Sequence, residues 1–264
     1  MNKRPKFGVR QVILGDRIWV LGSTPRLSRA SVSHMLEPLC RSADLTLNDD
    51  GAQLFAQALN EAACGCLETA LSALPASKPG VRIAEGRQAQ SFLDRAGPIG
   101  AIAASVLGDQ ARPVRAILFD KSAERNWALG WHQDRTIVVK ERVDTDGYGP
   151  WTVKSGLIQV EPPFEILESM VTLRVHLDAV DERNAPLRIV PGSHRLGRLP
   201  EAEIERVVAT FGERLCLAER GDVWLYATPI IHASFAADPP RRRRVLQVDF
   251  SAVSAPGPLA WRGL

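Results

Sequence analysis

From Arg112 onward the chain is written in short β-type runs broken by Gly, Pro and Asn turns, and this limits its fold more than any other feature. The runs are 113–119 (PVRAILF), 135–142, 169–179 (SMVTLRVHLDA), 186–190, 214–218, 222–233 and 243–251. Upstream the texture is helical. Leu54, Phe55, Ala58, Leu59, Ala62, Ala63, Cys66, Leu67, Ala70, Leu71 and Leu74 recur every three to four residues, which predicts a helix over 51–74, capped by Asn48–Asp50 and ended by Pro75. A second helical stretch over 87–107 is broken at Gly97-Pro98 and closed by Gly108. A helix is also expected from about Ser28 to Cys40, and a hairpin over 9–21 around Gly15-Asp16. Helices first and strands afterwards predict an α+β protein in which helices buttress a β-sandwich of jelly-roll type. We expect one domain over 1–264, with 1–111 as mainly helical support and 112–264 as the jelly-roll core. The Gly- and Pro-rich connection 143–167 has a length typical of a functional lid.

Composition narrows the function classes. A formal net charge of +3 over 264 residues implies no general attraction to nucleic acid. No run of 18 apolar residues is present to span a membrane, and no secretory signal is expected, so a cytoplasmic location is the default. Cys40, Cys64, Cys66 and Cys216 lack paired metal-ligand spacing and are expected as reduced thiols.

Within the β region stands Trp131-His132-Gln133-Asp134, and a second histidine, His232, lies in the apolar run VWLYATPIIHAS. On extended chain His132 and Asp134 project to the same side and can chelate one ion. Two histidines and one carboxylate are the ligand set of the facial triad that holds Fe(II) with open positions opposite. A 2-oxo acid can fill two of those positions and O2 the third, and the far carboxylate of the 2-oxo acid then needs a fixed donor such as arginine. Arg241, Arg242, Arg243 and Arg244 alternate in direction on a strand, but periodicity alone does not say which pair faces the metal. On VTLRVHLDA, Arg174, His176 and Asp178 share one face.

The motifs WHQD (131–134), NAPLRIVPGSH (184–194), GDVWLYATPIIHAS (221–234) and Arg243, in this order, resemble the phytanoyl-CoA dioxygenase family of Fe(II)/2-oxoglutarate oxygenases. The resemblance covers about the last 150 residues. It implies a double-stranded β-helix with His132, Asp134 and His232 as metal ligands at its open end. It also implies a co-substrate site at Arg243, eleven residues after His232, with Ser234 and, more weakly, Gln133. Lys121, Asn126 and Trp127 fall where the family places substrate-side groups, and Arg174 and His176 are candidate lining residues. His194 is expected to stabilise a turn, Trp131 to pack beside the first ligand, and Ala185, in place of a turn glycine, to leave the site unchanged. The implied activity is hydroxylation of an unactivated C–H of a small molecule, with 2-oxoglutarate converted to succinate and CO2. Asp134 speaks against halogenation, where that carboxylate is replaced. Two alternatives are a non-catalytic jelly-roll binding protein and a cupin-type oxygenase that uses no 2-oxo acid.

Overall fold

The computed structural model describes residues 11–14, 17–20, 44–75, 80–83, 87–255 and 257–264. They fall into two compact units, Met1–Cys40 and Arg41–Leu264. In the first, strands β1 (Gln11–Leu14) and β2 (Arg17–Val20) pair antiparallel with Leu14 opposite Arg17, as expected of a hairpin. The helix expected over Ser28–Cys40 lies outside the described residues.

The second unit begins with α1 (Leu47–Asp50), β3 (Ala52–Phe55), α2 (Glu61–Leu71), β4 (Gly80–Ile83), α3 (Gln90–Leu93) and α4 (Pro98–Leu107). It continues through β5 (Arg112–Lys121), β6 (Leu129–His132), β7 (Ile137–Val139), β8 (Trp151–Lys154), β9 (Leu157–Val160), α5 (Phe164–Glu168) and β10 (Met170–His176). It ends with β11 (Leu187–Ile189), α6 (Glu201–Phe211), β12 (Arg214–Cys216), β13 (Val223–Ala227), β14 (His232–Ser234) and β15 (Arg243–Ser251). A six-stranded sheet runs β3-β13-β10-β15-β5-β4, and a four-stranded sheet runs β12-β11-β14-β6. Leu187, Ile189 and Cys216 of the smaller sheet share a buried cluster with Trp224 and Tyr226 of the larger one, so the sheets pack face to face. This is the double-stranded β-helix.

Register decides what lies between the sheets. Across β10, β15 and β5 the inner face carries Thr172 opposite Asp249, Arg174 opposite Gln247, and Arg243 opposite Lys121. The alternate residues Leu173, Val175, Leu246, Val248 and Ala116 form the outer face. They pack against Cys64, Leu67 and Leu71 of α2 and Ile99, Ile102 and Ala103 of α4. The helices therefore take the apolar side of the sheet and leave a polar, charged interior.

Three expectations need correction. The span 51–74, expected as one helix, holds a strand and a helix of 11 residues, with the separate short α1 before it. Gly51, at φ +79°, ends α1, Ala52–Phe55 pairs with β13, and α2 starts only after Asn60, whose side chain accepts the Ala63 N–H at 2.9 Å. Pairing with a central strand overrides a helical period that Leu54 and Phe55 fit by coincidence. The boundary at 111 also fails for the sheet, because β3 and β4, both upstream, form its two edges. Finally, 143–167 is not a free connection. Ser155 (φ +53°) and Gly156 (φ +76°) turn a β8–β9 hairpin that pairs with β7 and packs Val160 and Trp151 with Leu259 and Trp261. The signal was present as WTVKSGLIQV, masked by its proline-rich flanks.

The run expected over 222–233 divides at Pro229, where the chain leaves the larger sheet and enters the smaller one. The helices over 87–107 and the strand 243–251 match their expected positions. His194 lies in a tight turn against Gly51, where a Cβ would come 2.3 Å from His194 Nδ1, and so it is structural as expected. Among the described residues no helix is long and apolar enough to cross a membrane.

Candidate metal centre

His132 closes β6 and His232 opens β14, and the antiparallel register sets them directly opposite, with ring centroids 4.3 Å apart. Asp134 follows two residues beyond His132, and one ligand atom from each of the three lies within 4.8 Å of the others. Each imidazole is oriented by its own chain. His132 Nδ1 is 2.8 Å from the Gly130 carbonyl and His232 Nδ1 is 2.9 Å from that of Ile230. With Nδ1–H donated to a carbonyl, Nε2 keeps its lone pair free for a metal. Burial, then the neighbouring His132, pushes His232 down to about 4, so at neutral pH it is the uncharged ligand form.

Asp134 is supported by a buried polar chain that the sequence reading missed. Arg115 Nη2 approaches Asp134 Oδ2 at 3.4 Å, while its Nε donates to Asp249, whose other oxygen accepts the Thr172 hydroxyl at 3.1 Å. Burial alone would raise the Asp134 carboxyl. Arg115, with the two imidazoles and Arg174, outweighs that and holds it below the ordinary carboxylate range. The signal for Arg115 was its parity with Lys121 on a strand whose alternate positions Val114, Ala116 and Leu118 are apolar.

Further along the interior, Arg243 alone of the four arginines is buried, at 1 % exposure. Arg241 pairs with Asp181, Arg242 with Asp120, and Arg244 with Asp178 and Glu68, so each of those already has a carboxylate. Arg243 Nη1 donates to the Ala185 carbonyl, which also accepts the Ser234 hydroxyl at 3.2 Å. Ala185, expected to leave the site unchanged, thus contributes its backbone to it, and does so at a φ of +53°. Arg174 and His176 also face the interior, at 5 % and 0 % exposure.

Three candidates move to other roles. Lys121 ends β5 at 1 % exposure, donates to the Phe235 carbonyl at 2.8 Å and to Ser234 Oγ at 3.3 Å, and lies 4.9 Å from the Trp127 ring. That places it beside Arg243 and Ser234. Gln133 has both amide hydrogens taken, by the Gly197 and Pro229 carbonyls, and its oxygen accepts the Leu199 N–H. It ties two loops together and has no donor left for a co-substrate. Asn126 is likewise a tie, exchanging two hydrogen bonds with the Ala237 backbone. Trp131 packs edge-on to Phe235 and against the buried cluster of Val190, Ile204, Val207 and Ile231.

Lys121 supplies a pH test. Burial, then Arg243 and Arg174, depresses its ammonium to about 7. Between there and the ordinary lysine range the unfolded chain binds the extra proton, so stability rises with pH. The slope is at most about 1.4 kcal/mol per pH unit for this one group. Chemical denaturation at pH 7, 8 and 9 should show the rise, and Lys121→Met should flatten it. Equal slopes in both proteins would count against a Lys121 ammonium depressed by burial.

A sequence profile described as Phytanoyl-CoA dioxygenase (PhyH) matches residues 47–245. No curated protein matches the chain by sequence. Solved structures do share its fold. AviO1 from Streptomyces viridochromogenes Tue57 has a TM-score of 0.56 at 19% identity, covering 80% of this chain and 94% of that one. EctD from S. alaskensis, with 2-oxoglutarate and 5-hydroxyectoine, has a TM-score of 0.58 at 18% identity, covering 87% and 82%. HygX from Streptomyces hygroscopicus, with nickel, 2-oxoglutarate and hygromycin B, has 0.52 at 13%, covering 78% and 84%.

Proposed function

Since the chain belongs to the phytanoyl-CoA dioxygenase family, we propose that it is an Fe(II)- and 2-oxoglutarate-dependent oxygenase that hydroxylates a small molecule. The observation that carries this is the convergence of His132, Asp134 and His232 within 4.8 Å, with both imidazoles turned so that Nε2 is free. Two neutral nitrogens and one carboxylate suit a divalent iron and leave coordination positions open. The buried donors suit the second group. Arg243 Nε and Arg174 Nε have no hydrogen-bond partner among the described residues, and an anionic acceptor would satisfy them.

In this reading His132, Asp134 and His232 hold the iron, and Arg243, Ser234 and Lys121 hold the far carboxylate of 2-oxoglutarate. The presence of 2-oxoglutarate in the EctD and HygX structures supports the same assignment. Together the two groups supply oxygen activation and C–H hydroxylation, with succinate and CO2 as co-products. The chain's own part is to fix geometry. Arg115 holds Asp134 in orientation, the Gly130 and Ile230 carbonyls hold the imidazoles, and the apolar outer face keeps solvent from the sheet interior. Tyr226, whose ring centroid is 5.6 Å from that of His232, packs the ligand in place.

The direct test is anaerobic addition of Fe(II) and 2-oxoglutarate to the purified protein. A weak visible absorption band is expected from the chelated 2-oxo acid, and succinate should form when air is admitted. Neither band nor succinate would remove the assignment.

A further inference from the structure

Resting on the co-substrate reading above, we infer that Arg174 and His176 of β10 also bind the 2-oxo acid. Arg174 takes the carboxylate at the metal end and His176 the distal one. With Arg243 and Lys121 they make an anion site that holds a five-carbon dicarboxylate without any metal.

The register brings these groups together. His176 is opposite Val245, two residues from Arg243 on the same face of β15, and Arg243 is opposite Lys121 on β5. Three adjacent strands therefore aim Arg174, His176, Arg243 and Lys121 into one volume. Arg174 is one step along β10 from Thr172, which bonds the Asp249 that pairs with Arg115 beside Asp134, and one step from His176. It thus stands between the metal end and the Arg243 end. Its Nη1 donates to Gln247 Oε1 at 2.9 Å, and the same oxygen is 3.4 Å from the hydroxyl of Tyr226, the ring beside His232.

What the volume lacks is a negative charge. Among the described residues no carboxylate lies within ion-pair distance of Arg174, Arg243 or Lys121, and all three are at most 5 % exposed. Both ring nitrogens of His176, the Arg174 Nε and the Arg243 Nε have no hydrogen-bond partner among the described residues. A buried donor left unpaired costs about 1–3 kcal/mol, so this many at one place marks a ligand's position rather than a packing fault. A dianion supplies acceptors at both ends and offsets cations that otherwise repel one another. Burial, then Arg174 and Arg243, keeps His176 uncharged, and a neutral imidazole still donates one hydrogen bond to a carboxylate. Affinity for the co-substrate is then carried by protein cations as well as by chelation.

Isothermal titration of chelator-treated protein with 2-oxoglutarate, and with glutarate, which lacks the chelating oxo group, tests this. Both are expected to bind. Arg174→Gln and His176→Leu should each weaken binding roughly 10- to 100-fold, while Fe(II) binding in the absence of 2-oxoglutarate stays unchanged. His176→Gln, which keeps a neutral donor, should retain most of the affinity. Circular dichroism and melting curves verify folding of each variant. If metal-free protein binds neither acid while iron-loaded protein binds 2-oxoglutarate, the metal-free anion site is wrong and the co-substrate reading stands. If iron-loaded protein fails as well, both are wrong. Equal losses in His176→Leu and His176→Gln would assign His176 to packing.

Discussion

Asp134→Ala is expected to abolish the proposed oxygenase turnover and to loosen iron, even in protein reconstituted with excess Fe(II). Two opposed histidines remain, but they supply only neutral nitrogens and only part of the chelate. The carboxylate is also the one negative charge among the three ligands. Removing a partly buried charged partner costs about 3–5 kcal/mol. At 1.4 kcal/mol per factor of ten, iron affinity should fall by roughly 100-fold or more. The fold should survive, because Arg115 keeps its stronger pairing with Asp249. Metal content after gel filtration and single-turnover product formation measure the two effects separately. Unchanged turnover in the iron-reconstituted variant would end the triad assignment.

Arg243→Ala should raise the apparent 2-oxoglutarate constant by roughly 30-fold or more. Truncating one partner of a buried charge pair costs about 2–5 kcal/mol. Its neighbours are the internal controls. Arg242 is 59% exposed on its side chain and already paired with Asp120, so Arg242→Ala should leave the constant nearly unchanged. Arg244 ties β15 to Asp178 and to Glu68 of α2, so Arg244→Ala should lower the melting temperature and leave co-substrate binding in place. Steady-state kinetics at saturating iron on the three variants decides the register. If Arg242→Ala or Arg244→Ala carries the kinetic loss, the inner face has been misassigned.

Much of this was legible in the sequence where a residue's role depends on local spacing. His132 and Asp134 are separated by a single residue, and the strand 243–251 alternates clearly enough to present its arginines on opposite sides. What the sequence hid depends on partners far along the chain. Leu54 and Phe55 read as helix because their spacing fits one, and only the β13 edge makes them strand. Gln133 read as a co-substrate contact until two loops, near residues 197 and 229, claimed its amide. Nothing local to Lys121 announces that β5 continues to it or that β15 pairs with it there. Arg115 and Asp249 are 134 residues apart, and neither looks special alone.

The place of β15 in the larger sheet bears on how the chain comes together during synthesis. β15 joins two half-sheets, β3-β13-β10 on one side and β5-β4 on the other, and it spans Arg243–Ser251. Until that segment leaves the ribosome, the flanking edges of β5 and β10 have no mutual bridge, and the interior arginines and histidines stay open to water. Sheets closed by such distant pairings form slowly and expose unpaired strand edges while they wait. A nascent chain stalled before residue 243 would therefore carry all three candidate ligands, His132, Asp134 and His232, and still expose the unpaired strand edges that chaperones bind.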